Sequence, residues 1–161
     1  MTNLIFKTIF ETPIGRILLH TSETHLHGVD LLINNETIEY ELVTSQLAQE
    51  AVHQLKSYFN DAQTCWTLPL AEQGTVFQRE VWQYLQTIPS GETRTYSDLA
   101  QALTTSARAV GNACRANPFA IVVPCHRVVS KSGIGGYYGK TAGSEIGLKQ
   151  WLLDHERHQS S

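Results

Sequence analysis

Pro124-Cys125-His126-Arg127 sets a thiol, an imidazole and a guanidinium side by side, at the end of the apolar run Ile121-Val122-Val123. A thiol attacks carbon or sulfur only as thiolate, and at an ordinary pKa of about 8.5 little of it is ionised at neutral pH, so a reactive Cys125 needs a base beside it. His126 is the candidate. Neighbouring residues on a strand face opposite ways, so a water is expected to bridge the two side chains. Glu156, on a final helix whose apolar side is Ile146, Leu148, Trp151, Leu152 and Leu153, is one carboxylate available to orient the imidazole. The plain alternative is a buried structural thiol next to a surface histidine.

Directly after this stretch comes Gly133-Ile134-Gly135-Gly136-Tyr137-Tyr138-Gly139-Lys140. Its amides can line a pocket, and its tyrosines can stack on a planar ligand. Gly139-Lys140-Thr141 resembles the end of a phosphate-binding loop. That motif needs glycine at position 134, where isoleucine stands, so nucleotide hydrolysis is set aside.

The elements that must position these groups follow from periodicity and turn chemistry. The run Ile121 to Val129 is β-branched and bounded by Asn117-Pro118 and by the glycines, which predicts a short interior strand ending at Pro124. Leu4 to Ile9, Arg16 to His20 and His27 to Ile33 read as an antiparallel meander, covered by a helix over roughly residues 42 to 59 through Leu47, Ala51, Leu55, Tyr58 and Phe59. Leu68 to Gly74 is expected to connect two domains, 1–72 and 73–161. Thr75-Val76-Phe77-Gln78 has the form of a capping box and opens a helix that stops at Pro89-Ser90-Gly91, with Trp82 and Tyr84 expected in its core. Thr95-Tyr96-Ser97-Asp98 starts a short helix to about Leu103. Ser106 then caps another over Ala107 to Arg115, a helix-turn-helix outline. The second of those helices is narrow at Ala107, Ala109, Gly111 and Ala113 and carries Arg108 in its first turn and Arg115 at its end. Such a helix can approach a nucleic-acid groove and insert one long side chain. Gly111 costs about 1 kcal/mol relative to alanine inside a helix, so close packing or close approach must offset it.

The net charge of −3 hides a division. Residues 1–92 carry 4 Lys/Arg against 11 Asp/Glu, while residues 93–149 carry 7 (Arg94, Arg108, Arg115, Arg127, Lys131, Lys140, Lys149) against 2. The basic part could meet phosphates. No window has the roughly 18 apolar residues of a membrane span, and the first residues lack the order of a signal peptide, so an intracellular protein is expected, cytoplasmic or nuclear according to its source. Three cysteines without a C-x-x-C pair argue against a disulfide framework. His25 and His27 share a strand face, but no further ligand completes a set, so no metal is expected.

From the residues alone the choices are a cysteine hydrolase, a redox thiol protein, or a DNA-binding module with a structural cysteine. The first leaves the helix-turn-helix unused, the second lacks a resolving cysteine close in sequence, and the third has no need of Pro-Cys-His-Arg.

Pro124-Cys125-His126-Arg127-Val128, preceded by Arg108-Ala109-Val110-Gly111-Asn112-Ala113-Cys114-Arg115-Ala116-Asn117-Pro118, closely resembles the O6-alkylguanine-DNA alkyltransferases. The resemblance is firm from about Phe77 to Glu156 and looser over the N-terminal sheet, where Thr12 to Leu18 carries it. It implies an α+β protein: a small antiparallel sheet domain with a covering helix, then a mainly helical domain with a helix-turn-helix and a short reactive strand. It also implies a single-use DNA repair activity in which Cys125 takes an alkyl group from O6 of guanine, with O4 of thymine as a second position, and is not regenerated. His126 would be the water-mediated base, Glu156 its holder, and Asn117 the organiser of the turn beneath the site. Arg108 would fill the space of the flipped base and Tyr96 would contact phosphate and base edge, with Arg115 and Ala109 completing the DNA-contacting set. The carbonyls of Cys125 and Val128 and the loop at Tyr137 or Tyr138 would line the substrate pocket. The resemblance implies no cofactor, duplex DNA carrying alkylated guanine as partner, no membrane, and a monomer. The sequence departs from the family pattern by the extra Thr141-Ala142-Gly143-Ser144-Glu145 before the last helix. The rival from another class is a non-catalytic binder of alkylated bases with the same fold, which would lack the thiol. A transcription regulator would need a further DNA-binding module.

Overall fold

The computed structural model describes residues 4–32, 45–138 and 143–159. Two compact units make up the chain, Met1–Glu72 with Pro118–Ala120, and Gln73–Asn117 with Ile121–Ser161.

In the first unit the Thr12 hydroxyl accepts from the Ile14 amide (3.2 Å) and donates to the Gly15 carbonyl (2.6 Å). Gly15 has φ +108, a conformation L side chains rarely adopt. These residues fold β1 (Phe6–Thr12) back onto β2 (Gly15–Thr21), and β3 (Leu26–Leu32) pairs on the other side of β2, both pairings antiparallel. On the central strand β2, Ile17, Leu18 and Leu19 are buried in succession. Helix α1 (Gln46–Asn60) is capped by the Ser45 hydroxyl, which accepts from the Ala48 amide at 3.1 Å, and buries Ala48, Ala51, Leu55 and Tyr58. Ile33 and residues 42–44 of the expected elements lie outside the described residues. The expected connection from Leu68 to Gly74 is in part structured: Leu26 donates to the Pro69 carbonyl and accepts from the Ala71 amide, each at 2.8 Å, so the chain leaves this unit only beyond Ala71. Later it returns. Val29 donates to the Pro118 carbonyl at 2.9 Å and forms a bridge with Phe119, which a single boundary at 72/73 leaves out.

The second unit contains α2 (Val76–Leu85), β4 (Arg94–Thr95), α3 (Tyr96–Ala102), α4 (Ala107–Arg115), β5 (Val128–Val129) and α5 (Ser144–Gln159). Capping boxes of Thr75 with Gln78 and of Thr95 with Asp98 open α2 and α3, satisfying amides that have no partner within the helix. The Ser106 hydroxyl caps α4 by accepting from Ala109 at 3.1 Å. Helix α4 packs on α3 and α2 through Val110 and Ala113, and the Trp82 indole donates to the Ala113 carbonyl at 2.8 Å. Trp82 is buried; Tyr84 is only half-buried. The architecture is the α+β arrangement expected, a three-stranded antiparallel sheet with a covering helix followed by helices that include a helix-turn-helix.

One element differs. Residues 121–123 form no strand, and β5 begins only after the cysteine. Ile121 sits at φ +71, which no strand residue adopts and which strains a β-branched side chain. The Val123 carbonyl, which a ladder would use, accepts instead from the Asn117 side chain. Complete burial of Ile121, Val122 and Val123 produces the same apolar run as a strand would, so periodicity cannot separate the two.

Candidate functional site

Pro124 has φ −83 and ψ 67, the centre of an inverse γ-turn closed by the Cys125 amide donating to the Val123 carbonyl at 2.8 Å. Cys125–Arg127 then make one 3₁₀ turn, with the Arg127 amide on the Pro124 carbonyl (3.0 Å) and the Val128 amide on the Cys125 carbonyl. Cys125 and His126 thus lie on a turn, where successive side chains diverge by about 120° rather than pointing to opposite faces. Asn117, just beyond α4, donates to the Val123 carbonyl at 2.8 Å and so ties the end of the helix to the residue before Pro124.

The partners of the turn are buried. His126 Nε2 lies 2.7 Å from Glu156 Oε2; Arg127 donates from Nε to Glu156 Oε1 at 2.8 Å and from Nη2 to Oε2 at 2.9 Å, and from Nη1 to the Ile88 carbonyl at 2.6 Å. Burial pulls His126 below its ordinary value and holds the ring neutral, against the opposing pull of Glu156. Burial alone would raise the Glu156 carboxyl, but His126 and the permanent charge of Arg127 reverse this and hold it far below the usual carboxylate range. Nδ1 of His126 is buried without a hydrogen-bond partner among the described residues.

Cys125 is itself partly accessible, and burial of its surroundings pushes its thiol up, opposed by the Asn117 side chain and the Lys149 ammonium. The resting thiol is therefore protonated. Lys149 is a group that the sequence did not single out. Counted there among cations able to meet phosphates, it is fully buried, donating to the carbonyls of Val128 (2.6 Å) and Gly136 (2.9 Å) with its ammonium 5.8 Å from the Tyr96 ring centre. Burial brings it down to about 8. Its signal was spacing: seven residues before Glu156, it shares a helix face with Leu152, Leu153 and Glu156. Arg127 likewise faces inward, which leaves Arg94, Arg108, Arg115 and Lys131 as the accessible cations of the basic stretch among the described residues.

Tyr96 is brought to the same place by pairing. Strands β4 and β5 run parallel with Arg94 opposite Val128 and Thr95 opposite Val129, so the first residue of α3 follows directly from the ladder that follows the thiol. The Tyr96 hydroxyl donates to the Gly136 carbonyl at 3.5 Å, and burial, then the neighbouring thiols of Cys114 and Cys125, push it up to about 12. Burial pushes Cys114 up to about 12 as well. Gly135, at φ +77, lies against the Tyr96 ring, which a Cβ there would meet at 3.0 Å. The two loop tyrosines separate: Tyr137 is buried, Tyr138 exposed at φ +53, with ring centres 5.0 Å apart. The Cys125 and Val128 carbonyls each already accept one hydrogen bond, and a carbonyl has room for a second. Lys140 and, of the extra segment, Thr141 and Ala142 lie outside the described residues, while Ser144 and Glu145, expected before the last helix, already form its first turn.

On α4, Arg108, Asn112 and Arg115 are exposed and Gly111 half-buried, at spacings of three, four and seven that put them on one face; Ala109 is half-buried to one side. Asn112, at i+4 from Arg108, belongs to this stripe and was not singled out from the sequence. A Cβ built on Gly111 meets nothing within 4 Å, so packing inside the protein does not account for that glycine. Among the described residues no group of three or more His, Cys, Asp or Glu could hold a metal, and no helix is long and apolar enough to cross a membrane. His27 is hydrogen-bonded to Ser22 and His20 to Asp30.

The family model described as "6-O-methylguanine DNA methyltransferase, DNA binding domain" matches residues 76–158, and "6-O-methylguanine DNA methyltransferase, ribonuclease-like domain" matches residues 5–71. A methylated-DNA–protein-cysteine methyltransferase of Methanosarcina acetivorans is 39% identical over 158 residues, covering 94% of this chain and 98% of its own. The constitutive one of Bacillus subtilis is 39% identical over 162 residues, covering 94% and 95%. Among solved structures, Mycobacterium tuberculosis O6-methylguanine methyltransferase superposes with a TM-score of 0.80 at 34% identity, over 98% of this chain and 96% of that one. The M. tuberculosis protein in complex with DNA gives 0.80 at 36%, over 94% and 92%.

Proposed function

The chain belongs to the 6-O-methylguanine DNA methyltransferase family, the DNA-binding repair proteins that move an alkyl group from DNA to a protein cysteine, and from that premise we propose that Cys125 is its acceptor and O6-alkylguanine its substrate. The proton of the Cys125 thiol passes through a water to Nδ1 of His126. The thiolate attacks the alkyl carbon in line, the carbon–O6 bond breaks, its electron pair returns to the guanine, and the proton taken up by His126 is given back through water to restore the N–H of the base. The products are an S-alkylcysteine and an unmodified base. A thiolate is a poor leaving group from the thioether so formed, so each chain acts once.

The observation that carries this reading is the division of labour on His126. Its Nε2 faces an ionised carboxylate, which can only accept, and its buried Nδ1 keeps a lone pair. Glu156 is then the holder of the base, and Asn117 the residue that fixes the turn and favours the thiolate. On the DNA side, Arg108 enters the stack in place of the flipped base, Arg115 and Asn112 meet the backbone, and Ala109 and Gly111 allow the helix close to the minor groove. Tyr96 contacts the flipped nucleotide, Tyr138 is the accessible pocket tyrosine, and Tyr137 supports it from beneath. The Cys125 and Val128 carbonyls read the guanine edge with their second lone pairs. The protein acts as a monomer inside the cell.

The test is to mix the protein with duplex DNA carrying O6-methylguanine and weigh the peptide containing Cys125. Gain of one methyl group there, abolished by Cys125→Ala with DNA affinity retained, is the expected result. DNA binding without a methylated peptide would leave a lesion binder instead.

A further inference from the structure

Arg127 holds three acceptors at once, and the transfer chemistry above gives the arginine itself no part. Its guanidinium spends two donors on Glu156 and a third on the Ile88 carbonyl, so the fork is itself fixed in place by the segment that follows α2. Glu156 reaches the site from α5 on a side chain with three rotatable bonds. Left alone, such a carboxylate can turn, and a buried imidazole can flip to offer it either nitrogen. The planar fork of arginine removes that freedom, because two parallel hydrogen bonds set the plane as well as the position of the carboxylate.

We propose that Arg127 is a positioning residue for alkyl transfer: by holding both oxygens of Glu156 it fixes the carboxylate against the Nε2 edge of His126, and thereby leaves Nδ1 as the nitrogen that takes the thiol proton. The inference rests on the reading of His126 as base. A neutral imidazole carries one N–H, so a fixed acceptor at Nε2 decides which nitrogen is basic. Oε2 lies 2.7 Å from Nε2 and 2.9 Å from Nη2 of Arg127, so the two donors share one oxygen and the guanidinium reaches round to the other. The charged groups facing His126 are Glu156 and Lys149 from α5 and Arg127 from its own turn. Burial keeps the ring unprotonated in the resting state, and Arg127, by offsetting the Glu156 charge, acts in the same direction. Orientation and charge are thus two separable contributions of one side chain.

Arg127→Lys keeps the charge and loses the fork; Arg127→Gln loses both. The measurements are single-turnover methyl transfer from an O6-methylguanine duplex as a function of pH, DNA affinity, and nitrogen-15 NMR of the His126 ring, which reports the nitrogen that bears the proton. Wild type is expected to show Nε2–H alone. In the lysine variant a second tautomer appears and transfer slows roughly tenfold, with the acid limb of the pH profile unmoved. The glutamine variant slows further, within the factor of about 10² to 10⁴ that a general base contributes, and its acid limb moves to higher pH. DNA affinity stays within about twofold in both, since Arg127 is buried with its donors spent on Glu156 and Ile88 and is not available to a phosphate. A lysine variant with the wild-type rate and a single Nε2–H tautomer would overturn the proposal, because one ammonium cannot hold both oxygens in a plane; should the glutamine variant not fold, the lysine variant decides. His126→Gln separates the two levels. If that variant transfers at the wild-type rate, the base reading itself fails; if it is slow while Arg127→Lys is unaffected, only the role of Arg127 fails.

Discussion

Around the Cys125 thiol, Arg127, Lys149 and Glu156 have been taken out of water and each ends on partners 2.6 to 2.9 Å away, whereas along α4 Arg108 and Arg115 stand in solvent with no ion pair among the described residues. Both sets lie in the same unit. The difference is what each charge is for. A buried charge is committed to the fold and can act only by holding something else, because leaving it uncompensated costs several kcal/mol. An exposed cation costs the fold almost nothing and remains available to a phosphate or a gap in a base stack. Substitutions in the first set should therefore change stability and chemistry together, and those in the second should change DNA handling alone.

The largest effect is expected at Glu156. Glu156→Gln leaves Arg127 buried without its counter-charge, and should cost about 3–5 kcal/mol in a urea titration while slowing transfer by on the order of 10². Loss of transfer with unchanged stability would break the comparison on this side. Acid should act on the same cluster. Because His126 is held neutral, an unfolded chain binds a proton the folded one refuses once pH falls below about 6.5, and stability begins to drop there. Glu156, held well below its unfolded value of about 4.3, contributes stability that is present above that pH and is lost as pH falls through its folded value. Urea midpoints measured from pH 7 down to 3 check both signs.

Lys149 sharpens the same side from the alkaline direction. Its folded value of about 8 lies below the ordinary 10.5, so between those limits the unfolded chain binds the extra proton. Wild type should gain relative to Lys149→Met as pH rises through this window, by up to about 3 kcal/mol, in paired denaturation series. A constant difference across the window would show the ammonium to be no more perturbed than an exposed one.

On the α4 side, Arg108→Ala should leave the denaturation midpoint within about 0.5 kcal/mol of wild type. It should weaken repair of duplex DNA at least tenfold more than transfer from a free alkylated base, since only the duplex requires flipping. Equal losses on both substrates would remove the intruding role. The smallest and sharpest test is Gly111→Ala. With nothing within 4 Å of the new methyl, the protein should gain about 0.5–1 kcal/mol while its affinity for DNA falls. A rise in both would show that the glycine serves neither packing nor approach.

Local chemistry was the legible part of the sequence. Thr75 with Gln78, Thr95 with Asp98 and Ser106 each marked a helix start, and α4 runs over the span its caps indicate, because capping is decided within four residues. Glu156 could be named as one candidate partner of His126 and no more, since thirty residues separate them and only the packing of α5 brings them to 2.7 Å. Elsewhere the pattern misled for physical reasons. Ile121 to Val123 imitate a strand because burial on every side erases the alternation that would distinguish one. Lys149 and Arg127 were counted with the surface cations because charge alone carries no sign of burial, although the helix face that Lys149 shares with Leu152 and Glu156 was there to be read. The return of Pro118–Ala120 to the sheet unit has no local signal at all.

The two-residue ladder of β4 and β5 sets where this protein can tolerate changes of chain length. All of α3 and α4 lies between its halves, as a loop whose closure those few hydrogen bonds secure. Adding residues inside such a loop costs little, because closure entropy grows only with the logarithm of its size. A slip of one residue at the ladder is different: it would carry Tyr96 about 3.3 Å along the thiol and invert the faces of Arg94 and Thr95. Insertions and deletions accumulated over evolution should therefore be found in the turn between α3 and α4, and not between Arg94 and Tyr96 or between Cys125 and Val129.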